Sequence, residues 1–288
     1  MSEEVILAGK EARAASGRRM AFGGPWPSAL LILALIAIIW EVVKVGFGVS
    51  DQKLPHLTAI IGVFFEQTQG DAGPIRAVSM LQNAATTLGE AIMGFVLGGL
   101  LGCGLAIVFA SSRLLERGLL PYVVGSQTVP ILAIAPMVVI GLGQLGAPDW
   151  VAKAVVAAYL TFFPVTIGML RGLRSVPHDA LDLMRSYAAG SWPTFWKLRL
   201  PAALPYLFNA LKICSTLSMI GAIVAEFFGG RQNALGVYIK SQAGILRLRE
   251  CWSAILMACL LGIAFYLVIA IVERLVMPWH VSFRRDRV

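Results

Sequence analysis

Six runs of apolar residues, each long enough to cross about 30 Å of hydrocarbon as helix, constrain this chain more than any other feature. They cover about Pro27 to Val49, Thr86 to Ala110, Leu120 to Leu142, Trp150 to Leu170, Ala202 to Phe228 and Ala254 to Met277. A bilayer core offers backbone amides no water, so each run must satisfy its own N–H and C=O groups, as a helix does. The expected fold class is an all-α polytopic membrane protein with six transmembrane helices. Composition agrees: 58% of the 288 residues are hydrophobic and 14% are charged, too few charges to coat a soluble domain of this length. The shorter stretch from Leu54 to Gln67 reads as a helix lying at the interface.

Six spans put both termini on one side, and the basic residues choose that side. Arg113, Arg117, Arg171, Arg174, Arg185, Lys197, Arg199, Arg274 and the Lys and Arg residues of both tails share it. Lys44, Lys53, Arg76, Arg231, Lys240, Arg247 and Arg249 fall opposite, and Lys153 and Lys212 fall within spans. This bias places the termini in the cytoplasm. The expected organisation is a cytoplasmic tail over 1–26, a six-helix membrane domain over 27–280 and a second cytoplasmic tail over 281–288. The net charge of +8 then reports basic loops facing anionic lipid. No basic patch with interleaved aromatics points to nucleic acid. The first run is too long for a signal-peptide core and lacks a cleavage site after it. Cys103, Cys214, Cys251 and Cys259 have no metal spacing, and His56, His178 and His280 are dispersed, so neither a metal centre nor a catalytic triad is expected.

In the second span Gly94, Gly98, Gly102, Ala106 and Ala110 recur every four residues. A face of small residues lets two helices approach closely, and close helix packing is the expected use. Between the fourth and fifth spans, at about 175–201, lies a segment too apolar for a solvated loop and too charged to cross a bilayer. From His178 to Ala189 the apolar positions Ala180, Leu181, Met184, Tyr187 and Ala188 fall at helical spacing. Gly190 is expected to end that helix, and Ser191 with Pro193 to start another carrying Trp192, Phe195, Trp196 and Leu198. Two amphipathic helices on the cytoplasmic face need a lipid surface or a protein groove.

The segment ends "KLRLP", and its spacing resembles the cytoplasmic loop of the permease subunits of bacterial ABC importers. That loop reads Glu-Ala-Ala, three residues, Gly, nine residues, Ile-x-Leu-Pro. The pattern falls on Asp182, Leu183 and Met184, then Ala188, then Leu198, Leu200 and Pro201. "LPAALPYLFNALKICSTLSMIGAIVAEFFGG", "TVPILAIAPMVVIGLG", "ALGVYIKSQAG" and "MPWH" are similar to the nitrate, sulfonate and taurine group of that family. Two departures stand out: "IGLG" where Trp-Phe-Gly is usual, and Glu90 at a place often basic.

The resemblance implies a type I importer fold, a second copy of the chain, two cytoplasmic ATPase subunits and an external substrate-binding protein, in a bacterial inner membrane. The coupling loop would dock on the ATPase through Asp182, Leu183, Met184, Arg185, Tyr187 and Ala188, with Leu198, Leu200 and Pro201 directing the chain back into the membrane. The sequence has no GxxxxGK[ST] phosphate cradle, so ATP and Mg are expected on the partner ATPase and no cofactor on this chain. Translocation candidates are the polar or helix-breaking residues inside spans: Gln127, Thr128, Pro130 and Pro136 in the third, Asn209, Lys212, Ser215, Ser218 and Glu226 in the fifth. Lys212 and Glu226 stand about 21 Å apart along one helix, too far for a direct pair. A Lys212 on the path would attract an anion. The substrate implied is a small solute, either a sulfonate, taurine or nitrate-type anion or a vitamin precursor of thiamine-pyrimidine or riboflavin type. An ATPase-independent secondary transporter is the alternative, which would need an ionisable pair near the midplane or paired broken helices.

Overall fold

The computed structural model describes residues 25–68, 74–230 and 233–279. Apart from the first residues of the first helix, the expected tails lie outside them. Among the described residues the structure is helical, with no strand and one isolated bridge between Gln67 and Ile75. The helices are α1 (Pro25–Gly46), α2 (Leu57–Gly62), α3 (Arg76–Ser111), α4 (Arg113–Ser126), α5 (Ile131–Gln144), α6 (Asp149–Arg174), α7 (His178–Ser186), α8 (Ser191–Thr194), α9 (Leu200–Glu226), α10 (Leu235–Gly244) and α11 (Leu248–Val276). Five helical segments are long and apolar enough to cross a membrane, and six if the bent pair α4–α5 counts as one span.

The chain forms two compact units, one ending at Ala59 and one beginning at Ile60. In the first, α1 presents exposed leucine and isoleucine side chains along most of its length. The residues after it are tied back by polar contacts: Trp40 Nε1 donates to the Pro55 carbonyl, and Glu41 accepts from the Leu57 amide at 2.9 Å. Lys44 pairs with Asp51 and donates to the Leu54 carbonyl at 2.6 Å.

In the second unit α6 is the central helix, with α3 on one side and α9 on the other. The α3–α6 contact is the small-residue face expected from the sequence. A Cβ on Gly94 would meet Ala157, one on Gly98 would meet Thr161 and lie 2.7 Å from the Ala158 carbonyl, and one on Gly102 would lie 2.8 Å from Val165. The two helices run parallel in one register, in which residue i of α3 faces residue i + 63 of α6. Across α6, Gly168 and Gly172 receive Ala210 and Ala203 of α9, and Gly221 receives Ala157. Lipid tails are as apolar as leucine side chains, so this close approach, and not hydrophobicity, holds the helices together. At the Ser111 end the seam broadens into a core of Ala106, Phe109, Met169, Leu170, Leu173 and Ala203.

Four expectations are corrected. The third span is not one helix: α4 and α5 meet at 93°. Pro130 lacks an N–H and forces Val129 away from helical backbone, so the chain turns there. Pro136, expected to break the helix, lies inside α5. The second amphipathic helix is also not separate from the fifth span, since α8 leads through a π turn at Phe195–Arg199 directly into α9. The wider turn accommodates the missing N–H of Pro201. Lastly, α3 begins at Arg76, about ten residues before the expected start, because nothing between Arg76 and Thr86 stops a helix.

The seam gives a paired prediction. Gly98→Ala places a methyl group against Thr161 and the Ala158 backbone, so it should lower the unfolding midpoint in detergent, at a cost of about 1–3 kcal/mol. Gly104→Ala, on the same helix with nothing within 4 Å, should leave the midpoint unchanged or raise it. Equal effects of the two would contradict the seam.

Candidate functional site

The loop helix α7 is closed by a left-handed cap. The Ala189 amide donates to the Met184 carbonyl at 3.0 Å and the Ala188 amide to the Arg185 carbonyl at 2.8 Å, the two bonds of a Schellman motif. Ala188 sits at its left-handed position with φ of 52°. Glycine adopts that conformation without a Cβ penalty, which is why the loop pattern carries glycine at this position. The helix thus ends at Ser186, capped through Tyr187 and Ala188, and not at Gly190, which instead precedes α8 in extended conformation.

Of the expected docking residues, Met184 is half-buried, as is its neighbour Leu181, and Leu200 packs beside the core at the Ser111 end. Leu198 and Pro201 are half-buried, so these four anchor the loop. The outward face is Leu183 (55% exposed), Tyr187 (74%) and Trp192 (71%), with Trp196 stacked edge-on against Trp192. Asp182 and Arg185 form an exposed pair at 2.9 Å beside them. That is a small apolar patch with a polar margin, on a loop held by caps and anchors.

Most of the expected pathway residues are spent on architecture. Ser215 and Ser218 are fully buried and donate to the Lys212 and Ser215 carbonyls of their own helix. Lys212 is not free to attract an anion, because its Nζ lies 2.8 Å from Glu273 of α11. Glu226, 1% exposed, lines no open path: it accepts the Gly236 amide at 2.6 Å and so caps α10. The Leu235 amide donates to Thr87 Oγ1 of α3, so side chains from two other helices satisfy the first donors of α10. Gln127 is half-buried, and the Thr128 hydroxyl donates to the Gly125 carbonyl, within the turn that Pro130 creates. Only Asn209 of the α9 candidates stands exposed. It belongs to a stripe of Tyr206, Asn209, Ile213, Thr216 and Ile220, spaced by three and four residues along one exposed face of α9.

A buried charge cluster had not been assembled from the sequence. Lys153, wholly buried, lies 3.2 Å from Glu90 Oε1 and pairs with Asp149 one turn away. Glu226 adjoins Glu90, and one oxygen of each has no donor among the described residues. Glu90 precedes Gly94 by four residues, as Lys153 precedes Ala157, so the pair continues the glycine seam. That spacing was the available signal. Among the described residues no group of His, Cys, Asp and Glu is arranged to hold a metal.

Residues 81–279 match the family described as binding-protein-dependent transport system inner membrane component. The formylaminopyrimidine transport permease protein of Halalkalibacterium halodurans is 31% identical over 250 residues, covering 87% of this chain and 94% of that one. The riboflavin transport system permease protein of Chloroflexus aurantiacus is 27% identical over 259 residues, covering 89% and 92%. A putative aliphatic sulfonates transport permease protein of Bacillus subtilis is 27% identical over 259 residues, covering 90% of this chain and 89% of that one. A solved amino acid ABC transporter chain superposes with a TM-score of 0.56 at 18% identity, covering 69% of this chain and 94% of that chain, a likeness of fold.

Two predictions follow from this geometry. Ala188→Gly should stabilise the loop by about 1 kcal/mol, seen as slower proteolysis at 178–201. Lys153→Met leaves buried carboxylates unpaired and should cost about 3–5 kcal/mol, with Glu90→Gln in the same chain recovering part of the loss. A double variant no more stable than Lys153→Met alone would dissolve the pair.

Proposed function

The chain belongs to the binding-protein-dependent transport system inner membrane component family, and from that premise we propose how it works in its complex. It is a permease subunit of an ABC importer, a multi-pass membrane protein of type I architecture. We infer that two copies form the path, two cytoplasmic ATPase subunits hold ATP and Mg and drive it, and an external binding protein delivers the solute. The chain itself would bind no cofactor. In this reading the membrane is a bacterial inner membrane, both termini are cytoplasmic, and 27–280 is the permease domain between two tails. The excess of Lys and Arg at the Ser111 end of the bundle supports that orientation.

The outward patch of Leu183, Tyr187 and Trp192 carries the coupling proposal. These side chains sit on a loop held by a Schellman cap and half-buried neighbours, and apart from the Trp192–Trp196 ring contact they stand exposed. An ATPase groove would receive them, with Asp182, Arg185 and Ala188 at its margin. Closure of the ATPase pair would then push α7, and through the unbroken path from α8 into α9 would turn the fifth span as a rigid body.

For the path, the exposed α9 stripe is the best candidate, with Asn209 and Thr216 as its polar groups and Gln127, Thr128, Pro130 and Pro136 on the bent α4–α5 pair. The stripe carries no charge, and Lys212 is matched by Glu273. This favours the vitamin-precursor class of solute, of thiamine-pyrimidine or riboflavin type, over a sulfonate or nitrate anion. The substrates named for the formylaminopyrimidine and riboflavin permeases are consistent with that choice.

Mild-detergent purification from the native host, with mass spectrometry of the accompanying subunits, tests the coupling proposal. The wild-type chain should bring an ATPase with it. Leu183→Asp with Tyr187→Asp should lose the ATPase without lowering the chain's own unfolding midpoint, because both residues are exposed. Undiminished ATPase recovery with that double variant would move docking elsewhere.

A further inference from the structure

At the Ser111 end of the bundle lies a cavity of about 1050 Å³. Three membrane-crossing helices end or begin at it. Arg174 is the last residue of α6, Arg199 is the residue before α9, and Arg113 opens α4 directly after α3. The cavity therefore stands where the hydrocarbon gives way to lipid headgroups.

Its charge is unbalanced. The Arg174 guanidinium forks onto both carboxylate oxygens of Glu116, so that pair is neutral. Arg113, Arg117 and Arg199 also line the cavity, and none of them makes an ion pair or side-chain hydrogen bond among the described residues. Arg113 and Arg117 stand four apart on α4, on one helical face, where like charges destabilise the helix unless a counter-charge lies between them. A general preference for basic residues at the cytoplasmic end explains arginines in this region. It does not explain three unpaired ones, from two separate segments, around a single cavity. The lining also includes the apolar side chains Leu120, Val124 and Leu173.

We propose that this cavity binds a phosphate-bearing anion, and that in the membrane the anion is the headgroup of an acidic phospholipid. Guanidinium groups offer paired N–H donors that match phosphate oxygens. The apolar part of the lining suits the glycerol and upper acyl chain, which a free phosphate would leave uncovered. The proposed orientation bears only on which leaflet supplies the lipid. Neither ATPase nor substrate is needed for binding.

The test is native mass spectrometry of the purified protein, with whatever subunits accompany it, in the presence of phosphatidylglycerol or phosphatidylcholine. Phosphatidylglycerol should be retained at activation energies that strip phosphatidylcholine. Arg113→Ala with Arg117→Ala should weaken its retention by about tenfold or more. Glu116→Gln, which releases Arg174 to the cavity, should strengthen it, a change that poor folding cannot imitate. Equal retention of the two lipids, or wild-type retention by the double arginine variant, would overturn the site. Displacement of phosphatidylglycerol by millimolar inorganic phosphate would overturn the lipid assignment in favour of a soluble phosphate compound.

Discussion

The fold rests on a backbone-close contact between two parallel helices. Along α3, positions 94, 98 and 102 are glycine because α6 leaves no room for a Cβ, and the same four-residue step carries the contact onward to Ala106 and Met169 in the core at the Ser111 end. In lipid the gain comes from dispersion and from excluded lipid, both of which fall quickly with separation. With α6 fixed against α3, its other face is free to receive α9 through Gly168, Gly172 and Gly221. The helix that continues from the loop, α9, and the helix α3 are thus joined through one central helix with little slack.

The seam also decides the fate of the charges. One turn before Gly94 it brings Glu90 opposite Lys153, and Glu226 adjoins the same cluster while it caps α10. A charged group inside a membrane must find a partner or face water. Here Lys44 has found Asp51, Lys153 has found Glu90 and Asp149, and Lys212 has found Glu273. The exposed face of α9 is left to neutral groups, and most polar residues inside the spans are engaged by their own helix or a neighbouring one.

What could be read from the sequence follows a physical division. Hydrophobic length is a one-dimensional property, so the spans and the loop between the fourth and fifth were legible, as was the glycine face at its four-residue step. Proline was harder to read. Pro130 breaks its helix, whereas Pro121, Pro136, Pro164 and Pro205 lie inside theirs, and only neighbouring helices decide whether a freed carbonyl is satisfied. The Glu90–Lys153 and Lys212–Glu273 pairs join residues 63 and 61 positions apart; the first follows the glycine spacing only once the seam's partner helix is known, and no local pattern announces the second. Ala188 is intermediate: its place in the loop pattern was legible, but its left-handed backbone appears only once the cap is seen.

In the coupling proposed above, ATP is hydrolysed on the partner ATPase and the α7 loop passes the resulting motion to the spans that move the solute. The most direct measurement is uptake of a radiolabelled solute, captured by its binding protein, into proteoliposomes of the purified complex. Uptake should require ATP on the side of the α7 loop and should persist when ionophores collapse every ion gradient. Uptake that continues without ATP and stops with the ionophores would contradict the account and would make the chain a gradient-driven transporter.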